Sequence, residues 1–152
     1  MMITKMNISA SLLISTCFYF LNPTISNYNS DKEYFSTKEQ ITPLQESIAR
    51  GKEVYTDFCI QCHLATGKGN GITFPPLDNS DWLKKKRKES IHAVKYGQKG
   101  EIVVNQQKYN GIMTPLGLSD QEVADVMNYI LNSWSNSNKK MVTVQEVISI
   151  KE

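Results

Sequence analysis

Apolar and polar positions along the chain fall into blocks with different periods. Ile8 to Leu21 is an apolar stretch interrupted only by small polar residues. Residues 27 to 42 are polar, rich in Ser, Asn, Asp, Lys and Thr, and carry no hydrophobic period. From residue 43 the period becomes helical. Leu44, Ile48, Gly51, Tyr55 and Phe58 recur three or four apart and mark one face, which predicts a helix running into Cys59. Thr42 supplies its N-cap, Pro43 its first position and Gln45 the partner of a capping box. Residues 64 to 80 hold Gly67, Gly69, Gly71 and the pair Pro75-Pro76, and read as loop.

Residues 81 to 96 are helical in patches, with Trp82, Leu83, Ile91 and Val94 facing inward and Gly97 as the stop. Ile102 to Tyr109 suggests a short hairpin around Asn105-Gln106-Gln107. The clearest element follows. Ser119 and Glu122 make a capping box, and Val123, Val126, Met127, Ile130, Leu131 and Trp134 repeat on one helical face. The pattern fades over Ser135 to Asn138, and Thr143 with Glu146 starts a short terminal helix over Val144 to Ile150.

No internal repeat is present, and 152 residues suffice for one globular domain. The expected organisation is an export signal at 1–26, a polar linker at 27–42, an all-α domain at 43–135 and a tail at 136–152. Lys5 gives the leader a positive n-region, and the apolar stretch is short for a membrane span. Thr24 and Ser26 suit a cut after Ser26; an uncleaved anchor, and hence a membrane tether through the N-terminus, is the alternative. Cys17 sits in a faint lipoprotein box, but Thr16 suits one poorly, so an inert cysteine of the leader is preferred to a lipidated one. The net charge of +2 makes no electrostatic case for nucleic acid.

The chemistry lies in the cysteines. Three are too few for a disulfide framework. Cys59-Ile60-Gln61-Cys62-His63 is the attachment sequence for c-type haem. Two thiols one helical turn apart can each add to a vinyl group on the same edge of the porphyrin, and the histidine that follows lies where a ring nitrogen binds iron. A thioredoxin-like redox pair would follow a strand, whereas an amphipathic helix precedes this one. A zinc site would need a second Cys pair outside the leader. The glycines after His63 resemble a phosphate loop, but no Gly-Lys-Ser/Thr follows. Met113, in the loop Tyr109-Asn110-Gly111-Ile112-Met113-Thr114-Pro115, is the candidate for the iron's other face, with His92 as the alternative. Met127 reads as core and Met141 as tail. Three or four helices form a core thin enough to need a covalent cofactor.

With these residues in view, the chain resembles the class I, single-haem cytochrome c domains of bacteria over about residues 43 to 135. Gly51 and Tyr55 look like the family's glycine and aromatic on its first helix, which cross the last helix at positions matching Val126 and Tyr129. Pro75 stands where the family has a proline whose carbonyl accepts the axial histidine's Nδ1 proton. Tyr109-Asn110-Gly111 followed by Met113 is similar to the family's ligand loop, with Thr114 where the family usually has proline. The resemblance implies three to four helices wrapped around one haem c, held through Cys59 and Cys62, with iron bound by His63 and Met113.

It further implies a periplasmic single-electron carrier, or one at the outer face of the inner membrane, working between a redox protein donor and acceptor and not as an enzyme. Leu77, Trp82, Tyr109, Ile112 and Leu116 are the expected pocket walls. Two alternatives stay open. One is a haem subunit of a larger oxidoreductase complex; the other is a ligand-binding or peroxidatic haem protein, should Met113 not bind iron. The run Lys84-Lys85-Lys86-Arg87-Lys88 is a docking patch or, the preferred reading, a solvated helix end.

Overall fold

The computed structural model describes residues 40–152. The expected leader, Cys17 and nearly all of the linker lie outside the described residues. Helix α1 spans Pro43–Phe58. The Thr42 hydroxyl accepts from the Gln45 amide, and the Gln45 side chain accepts from the Thr42 amide at 2.7 Å. Its inward stripe is Ser47, Gly51, Tyr55 and then Cys59, which caps the helix; Phe58 is 45% exposed. A step of four from Tyr55 lands on Cys59, so the face turns past Phe58. A single further turn, α2 at Ile60–His63, follows at once.

After the loop, α3 at Asp81–Lys85 is capped by the Ser80 hydroxyl, and α4 runs over Arg87–Tyr96. The break falls at Lys86, whose ψ of 52° is non-helical, and α4 stops at Gly97 with φ +87°. Strands β1 (Ile102–Val104) and β2 (Gln107–Tyr109) pair antiparallel, Ile102 opposite Tyr109. Their connection is the two residues Asn105 and Gln106, with φ of 50° and 68°. Positive φ at both central positions matches the twist of the flanking strands, so Gln107 belongs to β2 and not to the turn.

Helix α5, Asp120–Ile130, has the expected Ser119–Glu122 capping box and buries Val123, Val126, Met127 and Ile130. It crosses α1 at Gly51, where a Cβ would overlap the Asp125 carbonyl and lie 2.9 Å from Tyr129 Cβ. Only glycine permits that approach. Trp134, expected on the same helix face, lies beyond the helix with φ 55°. Its indole N–H donates to the Ala65 carbonyl at 2.9 Å, and its ring packs edge-on against Tyr55. The chain reverses there because Asn136 Nδ2 caps the Ile130 carbonyl and also reaches that of Leu77.

The segment after residue 135 is not a tail outside the packed region. Val142 and Val147 are fully buried and Ile150 is 8% exposed. The buried Asn128 carboxamide accepts from the Val142 amide at 2.7 Å and donates to its carbonyl at 2.9 Å, as a strand neighbour would. Helix α6 (Val144–Ser149) then packs on α5. Its expected capping box forms by half: the Thr143 hydroxyl accepts from the Glu146 amide, but the Glu146 carboxylate is taken by Arg87 at 2.6 and 2.8 Å. The all-α expectation holds, with six helical segments and one hairpin among the described residues.

Candidate cofactor site

Cys59 ends α1 and Cys62 sits on α2; the His63 amide donates to the Cys59 carbonyl at 2.9 Å, so the two thiols are one turn apart. Both are free thiols. Burial, and after it the neighbouring Cys62, pushes the Cys59 thiol up to about 11. The position of this turn follows from the helix crossing, because Gly51 brings α1 against α5 and Tyr55 donates from its hydroxyl to the Leu64 carbonyl at 2.8 Å.

His63 is half-buried. Its Nδ1 lies 3.0 Å from the Pro75 carbonyl oxygen. A carbonyl can only accept, so Nδ1 carries the proton and Nε2 presents a lone pair. Burial lowers the imidazole's pKa, and the bond to Pro75 opposes that shift only in part. A neutral ring with a free Nε2 is the form that ligates a metal.

His63, Phe74, Pro75, Ile102, Tyr109 and Met113 line one small cavity of about 50 Å³. A second, of about 70 Å³ and largely apolar, shares Pro75 and Ile102 with it and is walled by Leu77, Trp82, Val94, Met127 and Ile130. Leu77 and Trp82 thus line the second space and Tyr109 the first. Ile112 lines the first as well, although it is 76% exposed, while Leu116 is half-buried further along the loop. Met113 is pinned by paired backbone hydrogen bonds with Gln98, of 2.8 and 2.9 Å. A Cβ on Gly97 would lie 2.5 Å from the Met113 carbonyl oxygen and 3.0 Å from Pro115. The residue after Met113 is therefore not the stiffening one here: Pro115, one position later, rests on Gly97.

His92 does not line the cavity that His63 lines, but it shares an open surface groove with Met113. Its ring centre is 5.2 Å from that of Tyr96, and it lines another open groove with Trp82, Lys88 and Lys151. Most of the basic run has partners within the chain. Lys84 meets Asn79, Lys85 meets Asp81, Lys86 meets Glu89, and Arg87 is bidentate to Glu146. Sequence alone gave no sign of Gln98 as the residue that holds Met113, because the bond is backbone to backbone.

The donor set agrees with one group. Two unpaired thiols a turn apart, a neutral imidazole, a thioether on the same cavity and an adjoining apolar space suit a flat, vinyl-bearing macrocycle with a central iron. Among the described residues no three His, Cys, Asp or Glu side chains gather as a metal site of their own.

The chain matches the family model described as Cytochrome c over residues 48–134. It is 36% identical over 108 residues to cytochrome c-552 of Thermus thermophilus, an overlap of 65% of this chain and 82% of that protein. It is also 33% identical over 110 residues to the gluconate 2-dehydrogenase cytochrome c subunit of Pantoea cypripedii, covering 67% of this chain and 24% of that one. Similarity to the cytochrome c subunit of the quinone alcohol dehydrogenase of Gluconacetobacter polyoxogenes is 26% over 134 residues, 86% of this chain and 28% of the subunit.

Proposed function

This chain belongs to the cytochrome c family, whose cofactor is a covalently bound haem c with its iron, and we propose that it is a single-electron carrier with a closed site. Cys59 and Cys62 would attach the haem, and His63 and Met113 would hold its iron. When bound, the haem supplies one-electron redox chemistry at its iron. The observation that carries the reading is that His63 and Met113 line one cavity while the Pro75 carbonyl takes the imidazole's Nδ1 proton.

Each residue then has a task. Cys59 and Cys62 fix the ring's edge to the helix crossing. Pro75 holds His63 in one tautomer and raises its basicity. Met113 offers a soft thioether, which favours the ferrous state and raises the potential. Gln98 and Pro115 keep the Met113 loop in place. With His63 and Met113 both holding the iron, no place would be left for a substrate, so the proposed role is transfer to and from redox proteins and not catalysis.

Export to the periplasm or to the outer face of the inner membrane is part of the same proposal, supported by the apolar Ile8–Leu21 stretch behind Lys5. Among the described residues no helix is long and apolar enough to cross a membrane. A second reading, a haem subunit working within a dehydrogenase complex, is favoured by the similarity to the gluconate and alcohol dehydrogenase cytochrome subunits. Co-purification with a large partner distinguishes it from a free carrier.

The primary test is the optical spectrum of the holoprotein in both oxidation states. A low-spin ferric spectrum with the weak charge-transfer band of thioether ligation, lost in Met113→Ala, is the expected result. A high-spin wild-type spectrum, or tight binding of added cyanide by the native protein, would defeat the closed-site reading.

A further inference from the structure

Between His63 and Pro75 the chain forms neither helix nor strand, yet Pro75 must stay within hydrogen-bond reach of the His63 ring. Beyond Pro75 the Leu77 and Asp78 amides donate to the Gly67 carbonyl at 2.7 and 2.9 Å; before it, one side chain holds the path. Asn70 Oδ1 accepts from three successive amides, Ile72 at 3.0 Å, Thr73 at 2.8 Å and Phe74 at 2.9 Å. The Asn70 amide in turn donates to the Phe74 carbonyl at 3.2 Å. Asn70 therefore binds the strand of chain that ends in Pro75 from both its donor and its acceptor sides.

The other end of the loop is tied to the same histidine. The Gly69 amide donates to the His63 carbonyl at 3.1 Å. Gly69 has φ +60°, and a Cβ there would overlap the Phe74 carbonyl and lie 2.8 Å from the Pro75 oxygen. The path thus closes on itself: His63 carbonyl to Gly69, Asn70 to residues 72–74, Phe74 to Pro75, and the Pro75 carbonyl back to His63 Nδ1. Apart from the Asn70 carboxamide, every bond in that ring is made by backbone or by His63.

From this juxtaposition we infer that Asn70 is a positioning residue for the axial histidine, setting the Nδ1–H bond through the 72–75 loop and so tuning the iron's potential. The inference rests on the reading of His63 as an axial ligand. The carboxamide oxygen suits the place because three converging amides need an acceptor with no competing hydrogen. Without it the three amides turn to water, residues 72–74 gain freedom, and the Pro75 oxygen is held only from the Gly67 side. A ring with a weaker Nδ1–H bond is a poorer donor to iron, so the ferric state loses support and the potential rises.

The test is hydrogen exchange by NMR on the reduced holoprotein, with the reduction potential measured beside it. Asn70→Leu keeps the bulk and removes the acceptor; Asn70→Asp keeps the acceptor. In N70L the amides of residues 72–74 and the His63 Nδ1 proton should exchange roughly tenfold faster, the loss of about one hydrogen bond's protection, and the potential should rise. In N70D the ring proton should regain wild-type protection. If the amides of N70L accelerate while the ring proton stays within about twofold of wild type, the coupling is absent and the inference fails. Should N70L not mature, wild-type exchange decides: a ring proton outlasting all three amides by more than about tenfold overturns the coupling, and a common rate supports it. A wild-type spectrum without low-spin haem would instead defeat the ligation reading, whatever the exchange rates.

Discussion

Asp125 offers the sharpest test of how the haem-bearing helix is held. Its carboxylate is 3% exposed and accepts from Ser47 Oγ at 2.6 Å and from Arg50 Nε and Nη2 at 2.7 and 2.8 Å. Ser47 is itself fully buried and accepts from Asn128 Nδ2 at 2.8 Å, which commits the Ser47 proton to Asp125. Asp125→Ala strands that hydroxyl, at about 1–3 kcal/mol for a buried group without its partner. The Arg50 half of the pair is 50% exposed, so its loss is screened and adds at most about 1 kcal/mol. A total of about 1–4 kcal/mol follows, or a fall in Tm of roughly 4–16 °C for a domain of this size.

The same residue fixes a pH dependence. Burial alone would raise the Asp125 pKa, but hydrogen bonds from Arg50, Ser47 and Gln121 outweigh it and hold the carboxyl below its ordinary value. A depressed folded-state pKa gives stability that is full above the unfolded value, about 3.9, and is lost as pH falls through the folded one. Denaturant titration of the wild-type and D125A holoproteins should show the full gap at pH 7 and a shrinking gap below about pH 4. A gap under about 0.5 kcal/mol at pH 7, or one that persists unchanged into acid, would refute the reasoning.

Two further outcomes are expected. Gly51→Ala forces a methyl into the Asp125 carbonyl and must part α1 from α5, so unfolding should show a loss of at least about 2–3 kcal/mol and haem maturation should fall. Arg87→Ala removes the bidentate pair with Glu146 and the bond to the Met141 carbonyl, so amide exchange at Val147 and Ile150 should accelerate about tenfold while the optical spectrum stays unchanged.

Local signals in the sequence carried well where the structure is local. Thr42 with Gln45 and Ser119 with Glu122 each close a box within one turn, and both helices start where those residues stand. Trp134 shows the limit. It continues the α5 period in sequence, but the helix ends at Ile130 and the indole reaches Ala65, a bond between positions 69 apart. The terminal segment was misjudged for a similar reason. Val142 is buried only because Asn128 offers it a strand-like pair of hydrogen bonds, and a polar residue on an apolar helix face gives no such signal. In the site, the attachment motif was legible because its spacing is the chemistry. Asn70 and Gln98 were not, since their partners are backbone groups that loops bring together.

The division of labour between helix and loop has a physical logic. Thioether bonds need two thiols at a set spacing, and here the thiol pair begins at the end of a helix locked by a glycine crossing and a buried carboxylate. The residues proposed to hold the iron depend instead on loops. His63 takes its orientation from a loop knotted by Asn70, and Met113 hangs from a short bridge to Gln98. Such loops rest on hydrogen bonds near solvent more than on buried apolar area, so they open at lower free energy than α1 and α5. The helix crossing before Cys59 is thus expected to be the last part to open and the loops carrying His63's partner and Met113 the first, and on the proposed ligation those looser bonds are the ones that would tune the site.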